Sequence, residues 1–197
     1  RETIESCVEL GIKNLTLYVF SVDNWKRPKT EVNALMKLLV RSVKNEIEDI
    51  NKNNIRMRII GSLDQLSKGV KSELVNASNL TFRNDGLNLN LAISYGSKTE
   101  IINAFKQIVE KVKKNIISIE NIDEKLINEH LYTKISKDVD LLIRTGGEFR
   151  LSNFLLWQNS YAELLFYDML WPDFRKKDFY DSILTFQKRN RRFGKTN

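Results

Sequence analysis

The sequence is poor in the residues that form disulfides and bind transition metals, with one cysteine and one histidine among 197 residues. A single cysteine excludes an intrachain disulfide, so a reducing compartment is the simpler expectation, and we predict that Cys7 is a small core residue. His130 lies in a polar stretch without a cysteine or histidine neighbour, which leaves little from which to build a histidine metal site or a Ser-His-Asp triad. We predict that His130 lies at the surface.

Long apolar runs, low-complexity blocks and internal repeats are also missing. The run Phe-Leu-Leu-Trp at 154–157 is far below the roughly 18 residues that cross a bilayer, so we expect no membrane-spanning segment. No signal peptide is visible. The sequence opens inside a helical pattern, however, so the sequence leaves open whether a targeting segment precedes it. With 8 glycines, 2 prolines and 42% hydrophobic residues, the composition is that of one globular domain.

Positive charge is what the sequence has in excess. The formal net charge is +7 and the pI is about 9.4. This balance fits a polyanionic partner, and nucleic acid, a membrane surface and a phosphorylated small molecule all remain alternatives. The basic tail at 187–195 fits the same alternatives, including a second phosphate contact formed by Arg192 and Gly194, and it is equally compatible with a solvated helix end.

Strand and helix patterns alternate along the chain. Helical periodicity occurs at 31–50, at 99–114 and from 176 towards the basic tail, and strand patterns occur at 15–20, 55–60, 87–93 and 139–143. The residues before Gly11 and one short stretch within 115–137 are also predicted to be helical. This order predicts an α/β fold with a mostly parallel central sheet flanked by helices, in which ligands bind beyond the carboxyl ends of the strands.

The loop after the first strand combines a hydroxyl, an acid, an amide, an indole and a guanidinium at 21–27. Arg27 has the planar group that clamps a diphosphate, and Asn24 could orient a reacting group. The alternative is a solvated turn in which Asp23 or Thr30 caps the next helix.

A second polar loop follows the strand pattern at 139–143. Arg144, Arg150 and Ser152 surround the glycine pair at 146–147, which would let backbone N–H groups approach an anion. The spacing is neither that of a Walker A loop nor that of a dinucleotide fingerprint. A phosphate cradle and a glycine turn with surface arginines are both compatible with it.

Glu163 stands in the apolar and aromatic run at 161–171. A carboxylate in such surroundings needs an arginine or a hard cation as a partner, unless it is exposed and unpaired. Trp157 and Trp171 have core-like spacing, so we expect core or subunit contacts rather than nucleobase stacking.

Taken together, these segments resemble the cis-prenyltransferase family, whose bacterial members make undecaprenyl diphosphate and whose eukaryotic members make dehydrodolichyl diphosphate. The resemblance is collinear and covers essentially the whole chain. Its segments are YVFSVDNWKRPKTEV at 18–32, IRMRIIG at 55–61, LNLAISYGSKTEI at 89–101, DLLIRTGGEFRLSNFLLWQNSYAEL at 140–164, MLWPDF at 169–174 and RRFG at 191–194.

The resemblance implies a Mg²⁺-dependent transferase that condenses isopentenyl diphosphate with an allylic diphosphate, within one domain spanning 1–197 that holds a hydrophobic tunnel. By position, it implies that Asn24 is catalytic and that Glu163 binds Mg²⁺. Because a neutral amide has no useful basicity near pH 7, we expect Asn24 to position a proton relay that ends on a diphosphate oxygen. The implied substrate contacts are Ser21, Val22, Asp23, Trp25, Arg27, Arg144, Arg150, Leu151, Ser152, Arg192 and Gly194. The implied tunnel residues are Leu35, Leu38, Leu39 and Leu87.

The sequence departs from the family pattern in two places. Phe149 stands where some relatives have a metal-binding histidine, and a phenyl ring cannot ligate, so Mg²⁺ would rely on carboxylates, water and substrate phosphate. The family's Asp-Gly-Asn-Gly-Arg segment, which supplies the aspartate for the allylic diphosphate, would precede Arg1. We therefore expect this chain by itself to lack its first strand and phosphate loop, and to bind diphosphate better than it turns it over.

The resemblance also implies partners and a location. A homodimer joined through the final third of the chain, peripheral membrane contact, and a place in the cytoplasm or on the cytosolic face of a membrane (the endoplasmic reticulum in a eukaryote) are expected. A nucleic-acid partner is not expected, because no recognised binding motif accompanies the basic tail. The alternative function is a non-catalytic accessory subunit of a two-subunit prenyltransferase, against which the presence of Asn24, Arg144 and Glu163 argues.

Overall fold

The computed structural model of the chain describes residues 1–136 and 138–192. The strands are β1 (Asn14–Ser21), β2 (Arg56–Ile60), β3 (Asn88–Tyr95), β4 (Leu141–Arg144) and β5 (Glu163–Phe166). The α-helices are α1 (Glu2–Glu9), α2 (Lys29–Lys52), α3 (Lys68–Leu80), α4 (Ser97–Lys113), α5 (Glu124–His130) and α6 (Lys176–Gln187). They form two compact units, one of Ile12–Ser136 and one of Arg1–Gly11 with the described residues of Lys137–Asn197.

The larger unit is built on a parallel sheet with the strand order β1-β3-β2. Its central strand, β3, is buried along almost its whole length. The two faces of the sheet differ in polarity. Leu15, Leu89 and Met57 are register partners on one face, and the opposite face carries polar residues. On that polar face, the Asn90 side chain donates to Thr16 Oγ1 at 3.3 Å and to Ser136 Oγ at 3.1 Å, so a buried amide is satisfied.

Two helices of the larger unit pack beside β2. Helix α2 buries a stripe of residues at helical spacing, namely Val32, Met36, Leu39, Val43 and Ile50, and α3 packs against both α2 and β2. Of the residues predicted to line a tunnel, Leu39 and Leu87 are buried and Leu35 is half-buried. Leu38 is 59% exposed, so a tunnel wall that includes it is open to solvent at that position.

The smaller unit holds the parallel pair β4-β5 and the two helices α1 and α6. Ion pairs join these helices, since Arg175 lies 3.3 Å from Glu2 and Lys176 lies 2.7 Å from Glu9. Each pair is partly exposed and therefore contributes little to stability. The buried side of α1, which includes Cys7, contributes more to holding this helix in place.

The α/β class with parallel strands flanked by helices is confirmed, and each of the main helices and strands expected from the sequence is present within a few residues. Two elements were missed. Helix α3 has only two buried residues, so its apolar period is weak. Strand β5 has four residues and lies inside an aromatic run in which no alternation is visible.

The prediction that His130 lies at the surface is wrong. His130 is 8% exposed. Its Nδ1 lies 2.7 Å from the Leu126 carbonyl oxygen, and its Nε2 lies 2.7 Å from Lys111 Nζ. A carbonyl can only accept, so Nδ1 carries the proton and Nε2 accepts from the lysine. Trp171 also departs from a core position, since it is 51% exposed, and the expected subunit contact stays a prediction.

Cys7 is expected to be unreactive in the native protein. Its side chain is fully buried, and burial raises the pKa of the thiol from 9.0 to about 12. The unfolded chain therefore binds fewer protons between about pH 9 and 12, and stability falls as pH rises through that window. A disulfide reagent at pH 8 should label one thiol only after denaturation; rapid labelling of the native protein would contradict the buried position.

Candidate active site

The loop after β1 is a 3-10 helix, Val22–Lys26, held by a reciprocal pair of hydrogen bonds. The Asn24 backbone N–H donates to Ser21 Oγ at 3.2 Å, and the Ser21 backbone N–H donates to Asn24 Oδ1 at 2.9 Å. The second bond fixes the amide orientation, because a backbone N–H must face an acceptor. The Asn24 oxygen is therefore engaged, and its NH₂ group is the end available to hold an anionic oxygen.

Trp25 is fixed within this loop by one polar and one aromatic contact. Its indole N–H donates to Ser94 Oγ at 2.8 Å. Its ring meets Phe20 edge to face, with centroids 5.0 Å apart. Ser94 was not identified from the sequence, and the only signal for it there is its place at the carboxyl end of β3.

The charged residues of this loop form exposed pairs. Asp23 lies 2.8 Å from Lys26, and Arg27 lies 2.9 Å from Glu31. The hydrogen bond to Asp23 raises the pKa of Lys26. Because exposed pairs of this kind are weak, the Arg27 guanidinium can exchange its carboxylate for a doubly charged phosphate. Val22 opens the turn and is half-buried.

Arg144 organises the loop after β4. From the last position of that strand, it donates to Ser152 Oγ at 2.8 Å and to the Arg150 carbonyl oxygen. The Arg150 guanidinium pairs with Glu148. The three residues that the sequence suggested as a phosphate cradle, Arg144, Arg150 and Ser152, are therefore brought together at the carboxyl end of a parallel strand. Leu151 lies between them and is half-buried.

The glycine pair at 146–147 fits one of the two alternatives that the sequence left open. The N–H groups of Gly146 and Gly147 donate to the carbonyl oxygens of Met169 and Tyr167, at 2.8 and 2.9 Å. They are engaged within the fold, so the structure agrees with the glycine-turn alternative and not with N–H groups that face an anion. The pair serves instead to turn the chain, with φ values of +90° and +68° that favour glycine.

Backbone strain is concentrated just beyond this turn. Ser152, Asn153 and Leu155 have φ values of +49°, +61° and +47°. Left-handed conformations at residues other than glycine cost on the order of 1–3 kcal/mol each and cluster at binding sites. The Arg144–Ser152 hydrogen bond lies at the start of this strained segment and helps to hold it.

Glu163 lies apart from this cluster. It opens β5 opposite Leu141, whereas Arg144 is opposite Phe166, so the two positions are separated by three residues of strand, about 10 Å. Its carboxylate accepts from Arg189 Nη1 at 2.6 Å. The expectation that a carboxylate here needs a partner is confirmed, and the partner in this structure is an arginine that the sequence did not single out.

The remaining predicted residues are less constrained. Phe149 is 74% exposed and lies near Phe166, with ring centroids 5.3 Å apart. Arg192 is exposed, and Gly194 lies outside the described residues. Within the part of the chain that the structure describes, no group of three or more His, Cys, Asp or Glu side chains could hold a metal ion. None of the described helices has the length and apolar character of a membrane span.

Known proteins resemble this chain along its whole length. A prenyltransferase family model, described as undecaprenyl diphosphate synthase, matches residues 1–194. The chain belongs to the cis-prenyltransferase family. An isoprenyl transferase of Chlorobaculum tepidum is 46% identical over 196 residues, which are 100% of this chain and 74% of the relative. In Haemophilus influenzae, a ditrans,polycis-undecaprenyl-diphosphate synthase specific for (2E,6E)-farnesyl diphosphate is 46% identical and is covered to 82%.

Solved cis-prenyltransferase structures agree with the fold. Lavandulyl diphosphate synthase of Lavandula x intermedia, in complex with dimethylallyl diphosphate, superposes with a TM-score of 0.96 at 34% identity, over 98% of this chain and 84% of that one. The predicted family, the α/β fold and the reaction class of prenyl transfer are thereby confirmed. The roles of the individual residues in the two loops stay predictions.

Proposed function

We propose that this cis-prenyltransferase condenses isopentenyl diphosphate with an allylic diphosphate of the farnesyl type and makes a long-chain cis-polyprenyl diphosphate. The observation that carries the proposal is the cluster of Arg144, Arg150 and Ser152 on a strained loop at the carboxyl end of β4. Two guanidinium groups and a hydroxyl suit a diphosphate, and the strain indicates that the loop is held for binding.

In the proposed reaction the bond between the allylic carbon and its diphosphate breaks, and the alkene of isopentenyl diphosphate forms the new carbon–carbon bond. A proton then leaves the isopentenyl unit and the double bond is set cis. Guanidinium groups stabilise the negative charge that develops on the departing diphosphate. The Asn24 NH₂ group donates to a diphosphate oxygen and thereby positions that oxygen as the proton acceptor, since the amide itself is not basic.

Mg²⁺ fits the chain under two conditions. The first is that a diphosphate held at the Arg144 cluster reaches Glu163, which lies three residues of strand away, and the second concerns Arg189. Glu163 and substrate phosphate oxygens would hold the Mg²⁺ ion. Protein-bound Mg²⁺ is usually coordinated by one or two carboxylates together with phosphate and water. When bound, the ion would neutralise charge on the leaving diphosphate. Because Arg189 occupies the Glu163 carboxylate in this structure, metal binding at Glu163 requires that ion pair to open.

The homodimer, the membrane contact and the cytosolic location stay predictions. Several large apolar side chains of the final third are exposed, which supports a subunit contact there: Leu156, Tyr161, Leu170, Trp171 and Leu184. The mass of the native protein in solution, measured by light scattering, decides between one copy and two.

The function is tested with the full-length protein from its complete reading frame, labelled isopentenyl diphosphate, farnesyl diphosphate and Mg²⁺. We expect labelled polyprenyl product, with incorporation lost on chelation and restored by added Mg²⁺. In a second assay, dimethylallyl diphosphate is the only allylic substrate, and the chain length of the labelled product shows whether the enzyme makes a short-chain or a long-chain product. Absence of incorporation by the protein alone, with incorporation when a catalytic partner is added, would establish the accessory-subunit alternative instead.

A further inference from the structure

The end of β3 contains a serine in a backbone conformation that serine rarely adopts. Ser94 has a φ of +48° and is 2% exposed. In the register of β1 against β3, the partners of successive β1 residues skip Ser94 between Ile93 and Tyr95. Ser94 is therefore a β-bulge, a feature that re-aims a side chain and is frequent beside functional sites.

The segment after β2 holds this bulge from the other side. Ser62 donates its backbone N–H to the Ser94 carbonyl oxygen at 3.2 Å. Gly61 packs so closely that a Cβ atom there would lie 2.1 Å from the Ile93 carbonyl oxygen. The ends of all three strands of the larger sheet thus meet at Ser94, and they fix its unusual backbone.

The bulge directs the Ser94 hydroxyl towards the loop after β1. Its oxygen accepts the Trp25 indole N–H at 2.8 Å. The Phe20 ring also meets the indole edge to face, with centroids 5.0 Å apart. Together these contacts define both the tilt and the direction of the indole. Trp25 follows Asn24 directly within one 3-10 turn, so fixing the indole also restricts the backbone that carries the Asn24 amide.

We propose that Ser94 is a positioning residue for the loop Ser21–Arg27 and acts through the Trp25 indole. The inference rests on the proposed function, in which that loop contacts the substrates. Ser94 itself touches no substrate. Its hydroxyl holds the turn in one arrangement before binding, which reduces the conformational freedom that substrate binding must remove.

Three variants separate the hydrogen bond from the backbone strain. Ser94→Gly removes the hydroxyl and suits the left-handed backbone. Ser94→Asn also tolerates that backbone and carries an oxygen that can accept the indole N–H, so it is the rescuing variant. Ser78→Ala in α3 is the matched control, because the Ser78 hydroxyl is buried without a hydrogen-bond partner among the described residues.

Two measurements are needed. In a background with Trp157→Phe and Trp171→Phe, Trp25 is the one remaining tryptophan of the three, and its emission reports the indole directly. We expect Ser94→Gly to shift the emission maximum and lower the anisotropy. With the native tryptophans in place, we expect it to lower kcat/KM by roughly 10-fold without lowering the unfolding midpoint. Ser94→Asn should restore the wild-type Trp25 emission and bring kcat/KM to within about 3-fold of wild type. Ser78→Ala should change neither the Trp25 emission nor kcat/KM.

Unchanged Trp25 emission and kcat/KM in Ser94→Gly would overturn the proposal. So would a lower unfolding midpoint with full activity per folded molecule, because that pattern belongs to a structural role alone. The emission measurement does not depend on turnover. If the wild-type protein shows no turnover, the proposed function fails while Trp25 emission still decides whether Ser94 orders the loop.

Discussion

Arg144→Ala is expected to lower kcat/KM for isopentenyl diphosphate by about 10²–10³-fold, the loss typical of removing one preorganised charged or polar donor from an active site. The change removes the guanidinium and also the hydrogen bonds to Ser152 and to the Arg150 carbonyl. The strained segment that follows then loses the contact at its start. We expect both weaker diphosphate binding, seen by calorimetry, and slower incorporation of labelled substrate.

Two controls make the Arg144 result specific. Arg144→Lys keeps the charge but not the planar fork, so we expect an intermediate loss. Arg41→Ala removes an exposed arginine of α2 and should stay within about 2-fold of wild type, as for most surface changes. Normal kinetic constants in Arg144→Ala, with a folded protein by circular dichroism, would refute the role given to this arginine.

Gly61→Ala is expected to cause the largest loss of stability. The added Cβ would meet the Ile93 carbonyl oxygen at 2.1 Å, and φ at this position is +119°, a region that L residues rarely occupy. Backbone atoms of a central strand cannot move aside locally, so we expect the free energy of unfolding to fall by roughly 3 kcal/mol or more. Urea unfolding followed by circular dichroism measures this change.

Gly69→Ala is the matched control for that variant. Gly69 lies in the first turn of α3 with no atom within 4 Å of the added Cβ. Alanine is the better helix former, so we expect a gain of about 0.5–1 kcal/mol rather than a loss. Equal midpoints for the two glycine variants would show that β3 can yield at Ile93, and would weaken the account of the Ser94 bulge as well.

Much of the candidate site could be predicted because its residues lie in short loops directly after strands with clear patterns. The stretch from Ser21 to Arg27 is local, and its cap is formed between residues three positions apart. Arg144 and Ser152 are likewise close in sequence. Contacts of this length follow from turn chemistry, which a sequence displays directly.

The contacts that were missed join residues far apart in the chain. The Trp25 indole meets Ser94 from another strand, and Glu163 meets Arg189 from beyond α6. His130 was placed at the surface because its neighbours in sequence are polar, whereas it is buried beside Lys111 of another helix. No local pattern encodes which distant side chain will complete a hydrogen bond.

The sequence by itself determined the α/β class, the order of the main helices and strands, the two polar loops and the family, because periodicity, turn residues and collinear motifs are properties of the chain alone. Only the tertiary structure decided that the Gly146 and Gly147 N–H groups are engaged within the fold, that Glu163 is held by an arginine, and that the Trp25 indole donates to Ser94. The reason is physical. Burial and hydrogen-bond partners depend on which strand ends meet in space, and that is settled by packing across the sheet.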